Sequence, residues 1–141
     1  MKTIAVINGP NLNRLGTREP EVYGSATLQD LEDRLSQEAE ALGVTVQFHQ
    51  SNHEGALVDL FGQLADSGVA GVILNGAAYT HTSVALRDAI SASGLRVVEV
   101  HISNIYKRED FRKHSYTAPV CEGVITGLGF NGYSYALKQL A

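Results

Sequence analysis

The chain has little that would suit it to a nucleic acid, a membrane or an oxidising compartment. Its 11 lysines and arginines form no cluster and its formal net charge is −4, so neither a nucleic acid nor an anionic membrane is the expected main partner. No apolar run approaches the roughly 20 residues of a membrane-spanning helix. The single cysteine, Cys121, cannot form an intrachain disulfide, and no secretion signal precedes the first strand. We therefore expect a cytoplasmic protein with a small-molecule partner.

Several site chemistries lack their characteristic residues. The sequence has no dinucleotide fingerprint, no Gly-Lys-Ser/Thr phosphate loop, and neither a His-Glu-x-x-His motif nor a Cys/His group for zinc. We expect no metal site. Because imidazole is a common metal ligand, a metal bound by some of the five histidines is a minor alternative. The lysines lie at a strand start, in a late loop or on the final helix, which disfavours imine chemistry.

The composition that remains is that of one packed domain. Of the residues, 44% are hydrophobic and 18% are charged, which is enough apolar side chain for a core. A chain of 141 residues is too short for two ordinary domains. We expect residues 1–141 to form a single domain.

Short β-branched runs alternate with segments of helical period. The predicted strands are Thr3–Ile7, Val44–Phe48, Val69–Leu74, Val97–Val100 and Gly123–Thr126. The predicted helices are Leu28–Leu42 between Thr27 and Gly43, one through Leu57–Leu64 ending at Gly68, one from Ser83 to Gly94, and Tyr133–Leu140, with a short turn at Arg108–Arg112. This alternation favours a flavodoxin-like α/β fold, with a five-stranded parallel sheet in the order 2-1-3-4-5 and helices on both faces.

Polar residues follow the predicted strands, where ligands bind in such sheets. Most of these asparagines, serines and threonines have helix capping or turn formation as their ordinary alternative. Capping does not explain the histidines: His81 and His101 leave neighbouring strands and are candidates for one cleft. Glu99 lies on the same side of its strand as His101, so its carboxylate is placed to orient the imidazole.

The glycine-bounded loop after the first strand carries a candidate base. Arg18 and Tyr23 are a few residues apart, and a nearby guanidinium lowers the pKa of a phenol from its ordinary value near ~10. Tyr23 is therefore a candidate for removing a proton from carbon. The alternative is that Tyr23 packs the loop while Arg18 is solvated.

Six short motifs occur in order along nearly the whole chain. They are Asn8-Gly9-Pro10-Asn11-Leu12, Leu15-Gly16-x-Arg18-Glu19-Pro20 with Tyr23-Gly24, Gln50-Ser51-Asn52-x-Glu54-Gly55, Ala78-Tyr79-Thr80-His81-Thr82-Ser83, Glu99-Val100-His101-Ile102-Ser103-Asn104, and Phe111-Arg112 leading to Ser115-Tyr116. Together they resemble the motifs of the type II 3-dehydroquinate dehydratases. The resemblance implies a lyase of the shikimate pathway that dehydrates 3-dehydroquinate to 3-dehydroshikimate through an enolate, by anti elimination and without a cofactor. It also implies a homododecamer built from trimers.

The same resemblance assigns roles to individual residues. Tyr23 would take the C2 proton, Arg18 would lower the pKa of that phenol, and His101 would protonate the departing C1 hydroxyl. Asn11 would help an ordered water to stabilise the enolate oxygen, and Glu99 would hold His101. The substrate contacts would be Asn75, His81, Arg112, the backbone amides of Ile102 and Ser103, and Asp88 reaching into a neighbouring subunit. In an isolated domain Asp88 would simply belong to a solvated helix face.

One loop departs from the family pattern. The family usually has Asn-Pro-Gly-Ala-Tyr after the third strand, whereas this chain has Asn75-Gly76-Ala77-Ala78-Tyr79. We expect a less rigid loop, and Ala77 must accept the backbone angle that a glycine held.

Two other functions fit the same fold. One is a flavodoxin-like module that binds a small anion or a flavin without catalysis, but the chain has no tryptophan, and Tyr79 alone is thin support for stacking on a flavin. The other is an inactive relative that serves as a scaffold, which is disfavoured because every proposed catalytic side chain is present.

Overall fold

The computed structural model describes residues 1–17, 21 and 24–141. Five strands form one sheet: β1 (Thr3–Asn8), β2 (Thr45–Gln50), β3 (Gly71–Asn75), β4 (Val97–His101) and β5 (Gly123–Thr126). All neighbouring strands are parallel and their order is β2-β1-β3-β4-β5. The predicted order and the predicted flavodoxin-like α/β class are confirmed.

Within the described residues the sheet is accompanied by four α-helices: α1 (Leu28–Leu42), α2 (Glu54–Ser67), α3 (Val84–Ser93) and α4 (Asn131–Leu140). The predicted cap at Thr27 is confirmed: Thr27 Oγ1 accepts from the Asp30 amide at 3.1 Å, and Asp30 Oδ2 accepts from the Thr27 amide at 2.9 Å. None of these helices is long and apolar enough to cross a membrane.

Helices cover both faces of the sheet, so β1 is buried on both sides. Ile4 and Val6 pack in one core with α1 and α4, whereas Ala5 and Ile7 pack in a second core with α2 and α3. Successive side chains of a strand point to opposite faces, so a continuous apolar run supplies both cores. The long loops of the chain follow the carboxyl ends of β1 and β4.

Some predicted boundaries were wrong. Strand β2 continues past Phe48 because His49 and Gln50 pair with Ile7 and Asn8 of β1, and backbone pairing does not require apolar side chains at the sheet end. For helix α2 only the apolar stripe and the end at Gly68 were predicted; the helix begins at Glu54, three residues before that stripe, and the predicted end is confirmed. In place of one short turn at Arg108–Arg112, two 3₁₀ turns occur, Ile105–Lys107 and Asp110–Arg112.

The loop after β3 bears out the expectation for Ala77. Its φ is 50°, in the left-handed region that favours glycine. Gly76 has a φ of −74°, close to the angle that proline fixes. The loop is closed by the Ala77 amide, which donates to Asn75 Oδ1 at 3.1 Å, so its backbone keeps the path that a Pro-Gly pair favours.

The ends of β1 and β3 approach each other at Gly9. The Gly9 amide donates to the Asn75 carbonyl oxygen at 2.8 Å, and a Cβ on Gly9 would lie 2.6 Å from the Gly76 carbonyl oxygen. Because the obstructing atoms are backbone, a side chain at Gly9 would force the two strand ends apart. The absence of a Cβ therefore sets the spacing of two loops at the carboxyl edge.

We predict opposite effects on stability for two glycine-to-alanine changes. Gly9→Ala should lower the free energy of unfolding by about 1–3 kcal/mol, because a Cβ overlaps the Gly76 backbone. Gly62→Ala, on the exposed face of α2 with no atom within 4 Å of the new Cβ, should raise it by about 0.5–1 kcal/mol. Urea unfolding of both variants measures the difference; equal effects would contradict the close approach at Gly9.

Candidate active site

A cavity opens at the carboxyl edge of the sheet, between the loops that follow β1, β3 and β4. Its lining residues are Pro10, Asn11, Leu12, Asn75, Ala77, Ala78, His81, His101, Ile102, Ser103, Ile105, Arg108 and Arg112. The cavity lies where the topology predicts a ligand site. Residues after β2 do not line it, but Asn52 ties two of its loops: Asn52 Oδ1 accepts from the Asn11 amide at 2.9 Å and its carbonyl oxygen accepts from Tyr79 OH at 2.8 Å.

The predicted pairing of Glu99 with His101 is present beneath this cavity. Alternation along β4 puts both side chains on one side of the strand, and His101 Nε2 lies 2.8 Å from Glu99 Oε2. Glu99 is 0% exposed and His101 is 4% exposed. Because Nε2 is engaged, Nδ1 is the ring nitrogen left to meet a ligand.

The Glu99 carboxylate has further hydrogen-bond donors. Ser115 Oγ lies 3.1 Å and 3.0 Å from its two oxygens, and Thr117 Oγ1 donates to Oε1. Burial acts to raise the pKa of Glu99, but the hydrogen bonds from His101, Thr117 and Ser115 outweigh it, so this pKa is lowered. The hydrogen bond to this buried, ionised carboxylate fixes the orientation of the His101 ring.

His81 lies beside His101, as its place after the neighbouring strand predicts. The ring centroids are 6.2 Å apart and the planes differ by 23°. His81 Nδ1 lies 2.8 Å from the His114 carbonyl oxygen, so Nδ1 carries the proton and Nε2 is an acceptor. Burial, with the nearby charges of His101 and Arg112, lowers the pKa of His81. The site thus combines a ring held by a carboxylate with a second ring that favours the neutral form.

A buried network orients Asn75. Asn75 Nδ2 donates to Tyr133 OH at 2.9 Å, and Tyr133 OH donates to Asn8 Oδ1 at 2.6 Å. Tyr133 is fully buried, and burial raises its pKa, so its hydroxyl remains protonated. Sequence reasoning placed Tyr133 on a helix but missed this role, for which a phenol on an apolar helix face was the only signal.

Two arginines give the cavity its positive charge. Arg112 Nε lies 3.1 Å from Glu109 Oε2, and its guanidinium lies 5.1 Å from the centre of the Phe111 ring. Arg108, with a side chain that is 14% exposed, also lies 3.8 Å from Glu109. Sequence reasoning named Arg112 and missed Arg108, although both lie in the loop after β4. Two guanidinium groups in a half-closed cavity favour an anionic ligand.

The remaining predicted site residues fall into three groups. Asn11, Ile102 and Ser103 line the cavity, and Asn11 has a left-handed φ of 68°. Asp88 is exposed on α3 and does not line the cavity of its own chain. Arg18 and Tyr23 lie outside the described residues.

No metal centre is found in the part of the chain that the structure describes. Those residues contain no group of three or more histidine, cysteine, aspartate or glutamate side chains arranged to hold an ion.

A family model, similar sequences and a solved structure all relate the chain to one family. A family model described as dehydroquinase class II matches residues 2–141. The chain is 59% identical to the 3-dehydroquinate dehydratase 2 of Corynebacterium efficiens, over 98% of this chain and 96% of that protein. It is 56% identical to the 3-dehydroquinate dehydratase of Bacillus pumilus, over 99% of this chain and 95% of that one. The crystal structure of type II dehydroquinase from Butyrivibrio crossotus superposes with a TM-score of 0.97 at 44% identity, covering 99% and 97% of the two chains. The chain belongs to the type II dehydroquinase family.

Proposed function

We propose that this protein is a hydro-lyase that converts 3-dehydroquinate to 3-dehydroshikimate, a step of the shikimate pathway. The observation that carries the proposal is the buried Glu99–His101 pair, which leaves Nδ1 of His101 toward a cavity containing two arginines. A proton donor beside an anion-binding cavity suits removal of a hydroxyl from a carboxylate substrate. Family membership along the full chain supports this substrate over the alternative of a flavin-binding module.

The proposed acid step uses His101. Loss of hydroxide from C1 is slow because hydroxide is a poor leaving group, and protonation as the C–O bond breaks turns it into water. The imidazolium proton passes from His101 to that oxygen, and the electron pair of the enolate forms the new C1–C2 double bond while the C3 ketone returns. Glu99 keeps the ring oriented through this change of charge.

The proposed base is Tyr23. It removes the C2 proton to give the enolate, and Arg18 lowers the pKa of its phenol. Both assignments rest on the sequence motifs, since these residues lie outside the described ranges. Asn11 helps a water molecule to stabilise the enolate oxygen. The C2 proton and the C1 hydroxyl leave in anti fashion, which is the stereochemistry that the family resemblance implies.

Substrate binding is assigned to the other cavity residues. The backbone amides of Ile102 and Ser103 hold the carboxylate, while Asn75, His81 and Arg112 contact the ring and its hydroxyls. Arg108 adds a second positive charge that attracts the anion.

We also propose that the chain is one catalytic domain that works in the cytoplasm without a metal or an organic cofactor. The acid–base groups above supply each proton transfer, and the elimination itself is redox-neutral. No electron carrier is needed for it.

Turnover of 3-dehydroquinate, followed by the ultraviolet absorbance of the conjugated product, tests the reaction and the base together. Tyr23→Phe should lower kcat by about 100-fold or more, because it removes the base. Tyr135→Phe, which changes a half-exposed tyrosine on α4, should leave kcat unchanged.

The controls separate the two claims. No turnover by the unmodified protein would overturn the reaction, and normal turnover by Tyr23→Phe would overturn only the choice of base. Borohydride added with substrate should neither inactivate the protein nor add mass to it; a trapped adduct would indicate an imine route instead.

We further propose an assembly of twelve chains, arranged as trimers, in which Asp88 reaches the substrate of a neighbouring subunit. The exposed position of Asp88 outside its own cavity is what such a role requires. Closed symmetric assemblies commonly complete sites in this way.

Light scattering should give a mass of about 180 kDa for twelve chains of 15.1 kDa. Asp88→Ala should raise KM, whereas Asp66→Ala, which removes an exposed carboxylate on α2, should not. An active monomer with an unchanged KM in Asp88→Ala would contradict both the assembly and the role.

A further inference from the structure

One short segment, His114–Thr117, contacts His81 directly and contacts His101 through Glu99. The His114 carbonyl oxygen accepts from His81 Nδ1 at 2.8 Å, while the hydroxyls of Ser115 and Thr117 bond to the carboxylate behind His101. The segment is anchored in turn by the Tyr116 amide, which donates to the Thr80 carbonyl oxygen at 2.8 Å. We call it the 114–117 segment.

The hydroxyls of the 114–117 segment bond to the carboxylate of Glu99, which is buried away from water. Glu99 is 0% exposed, and transferring an ionised carboxylate out of water is costly unless donors replace its hydration. Oε2 accepts from His101 and Ser115, and Oε1 accepts from Ser115 and Thr117. In the described part of the chain, two of the three side chains that donate to this carboxylate therefore belong to the 114–117 segment.

The other titratable groups around the carboxylate do not compete for this role. Cys121 and His81 are close enough to interact electrostatically with Glu99. Burial, together with the charge of Glu99, raises the pKa of Cys121 to about 12, so its thiol is neutral, and burial lowers the pKa of His81. Among the described residues, His101 is left as the ionic partner of Glu99.

We propose that Thr117 and Ser115 are positioning residues of the dehydration, whose hydroxyls keep Glu99 ionised and aimed at His101 so that the ring remains a proton donor. This inference rests on the proposed function. Neither residue lines the cavity, so both act through Glu99 rather than on the substrate.

A substitution at Thr117 distinguishes this positioning role from a purely structural one better than a substitution at Ser115 does. Ser115 Oγ also accepts from the amides of Thr117 at 3.2 Å and Ala118 at 2.9 Å, so its removal disturbs the turn that follows. The side chain of Thr117 bonds to Glu99 and, at 3.3 Å, to Ser115 Oγ. Replacing it by valine keeps the shape and removes the donor.

The test is the pH dependence of kcat in Thr117→Val. In the unmodified protein the pKa of Glu99 is lowered, so the carboxylate persists as the pH falls. As the pH falls, protonation of the Tyr23 base lowers kcat first, and protonation of Glu99 then makes the decline steeper; this steeper part is here called the acid limb. Loss of a donor raises the pKa of Glu99, so the acid limb should be displaced upward by about 1–2 pH units. Above that limb kcat should approach the unmodified value, and KM should change less than about twofold because the substrate is not touched.

Two variants serve as controls. Thr117→Ser keeps the hydroxyl and should restore the acid limb. Thr80→Val removes a threonine hydroxyl that is equally buried and nearby but has no hydrogen-bond partner among the described residues, and it should leave the acid limb unmoved. A displaced limb in Thr80→Val, an unmoved limb in Thr117→Val, or a loss of kcat that is equal at every pH would overturn the inference.

A measurement without substrate keeps this inference distinct from the proposed function. Infrared difference titration reports ionisation of Glu99 directly, with Glu99→Gln identifying its bands. The Glu99 transition should move to higher pH in Thr117→Val, and in Ser115→Ala if Thr117→Val does not fold. Failure of the unmodified protein to turn over 3-dehydroquinate would overturn the proposed function, whereas an unmoved Glu99 transition would overturn this inference.

Discussion

A carboxylate shut away from water, Glu99, is the constraint around which the site is arranged. Burial of such a group is tolerated only when other donors replace the water it has lost. Here His101, Ser115 and Thr117 supply those donors, and they come from β4 itself and from the chain between β4 and β5. The strand, the 114–117 segment and the His101 ring are thus parts of one hydrogen-bonded unit.

The rest of the cavity depends on how closely the strand ends meet. Gly9 lets the loop after β1 touch the backbone after β3, and Asn75 is fixed from below by Tyr133. These contacts leave few degrees of freedom to the polar side chains that face the ligand. In physical terms the site is preorganised by the sheet, since its groups do not have to be ordered when substrate arrives.

Sequence reasoning predicted the features that follow from local periodicity. The pairing of Glu99 with His101 follows from alternation along one strand, and the nearness of His81 follows from the sheet order. The predicted end of β2 was wrong, and the start of α2 was not predicted, because polar residues at element ends are held by backbone pairing and helix geometry, which apolar patterns do not register.

Contacts between distant parts of the chain were beyond local patterns. The hydroxyl of Tyr133 meets Asn8 across 125 positions, and helical period indicates only that this residue is buried. Likewise, Ser115 appeared as part of a motif, but its bond to Glu99 depends on where the long loop returns to the sheet. Arg108 was missed because a loop cation is solvated by default, and only the cavity shows otherwise.

If His101 acts as the proposed acid only beside a charged Glu99, removing that charge should stop most of the dehydration, and steady-state kinetics of Glu99→Gln measure this. Glutamine keeps the size and one acceptor oxygen but removes the negative charge that lies beside His101. For Glu99→Gln we expect a fall in kcat of about 100-fold or more, with KM within about threefold of the unmodified value. A kcat within a few-fold of the unmodified value would contradict it.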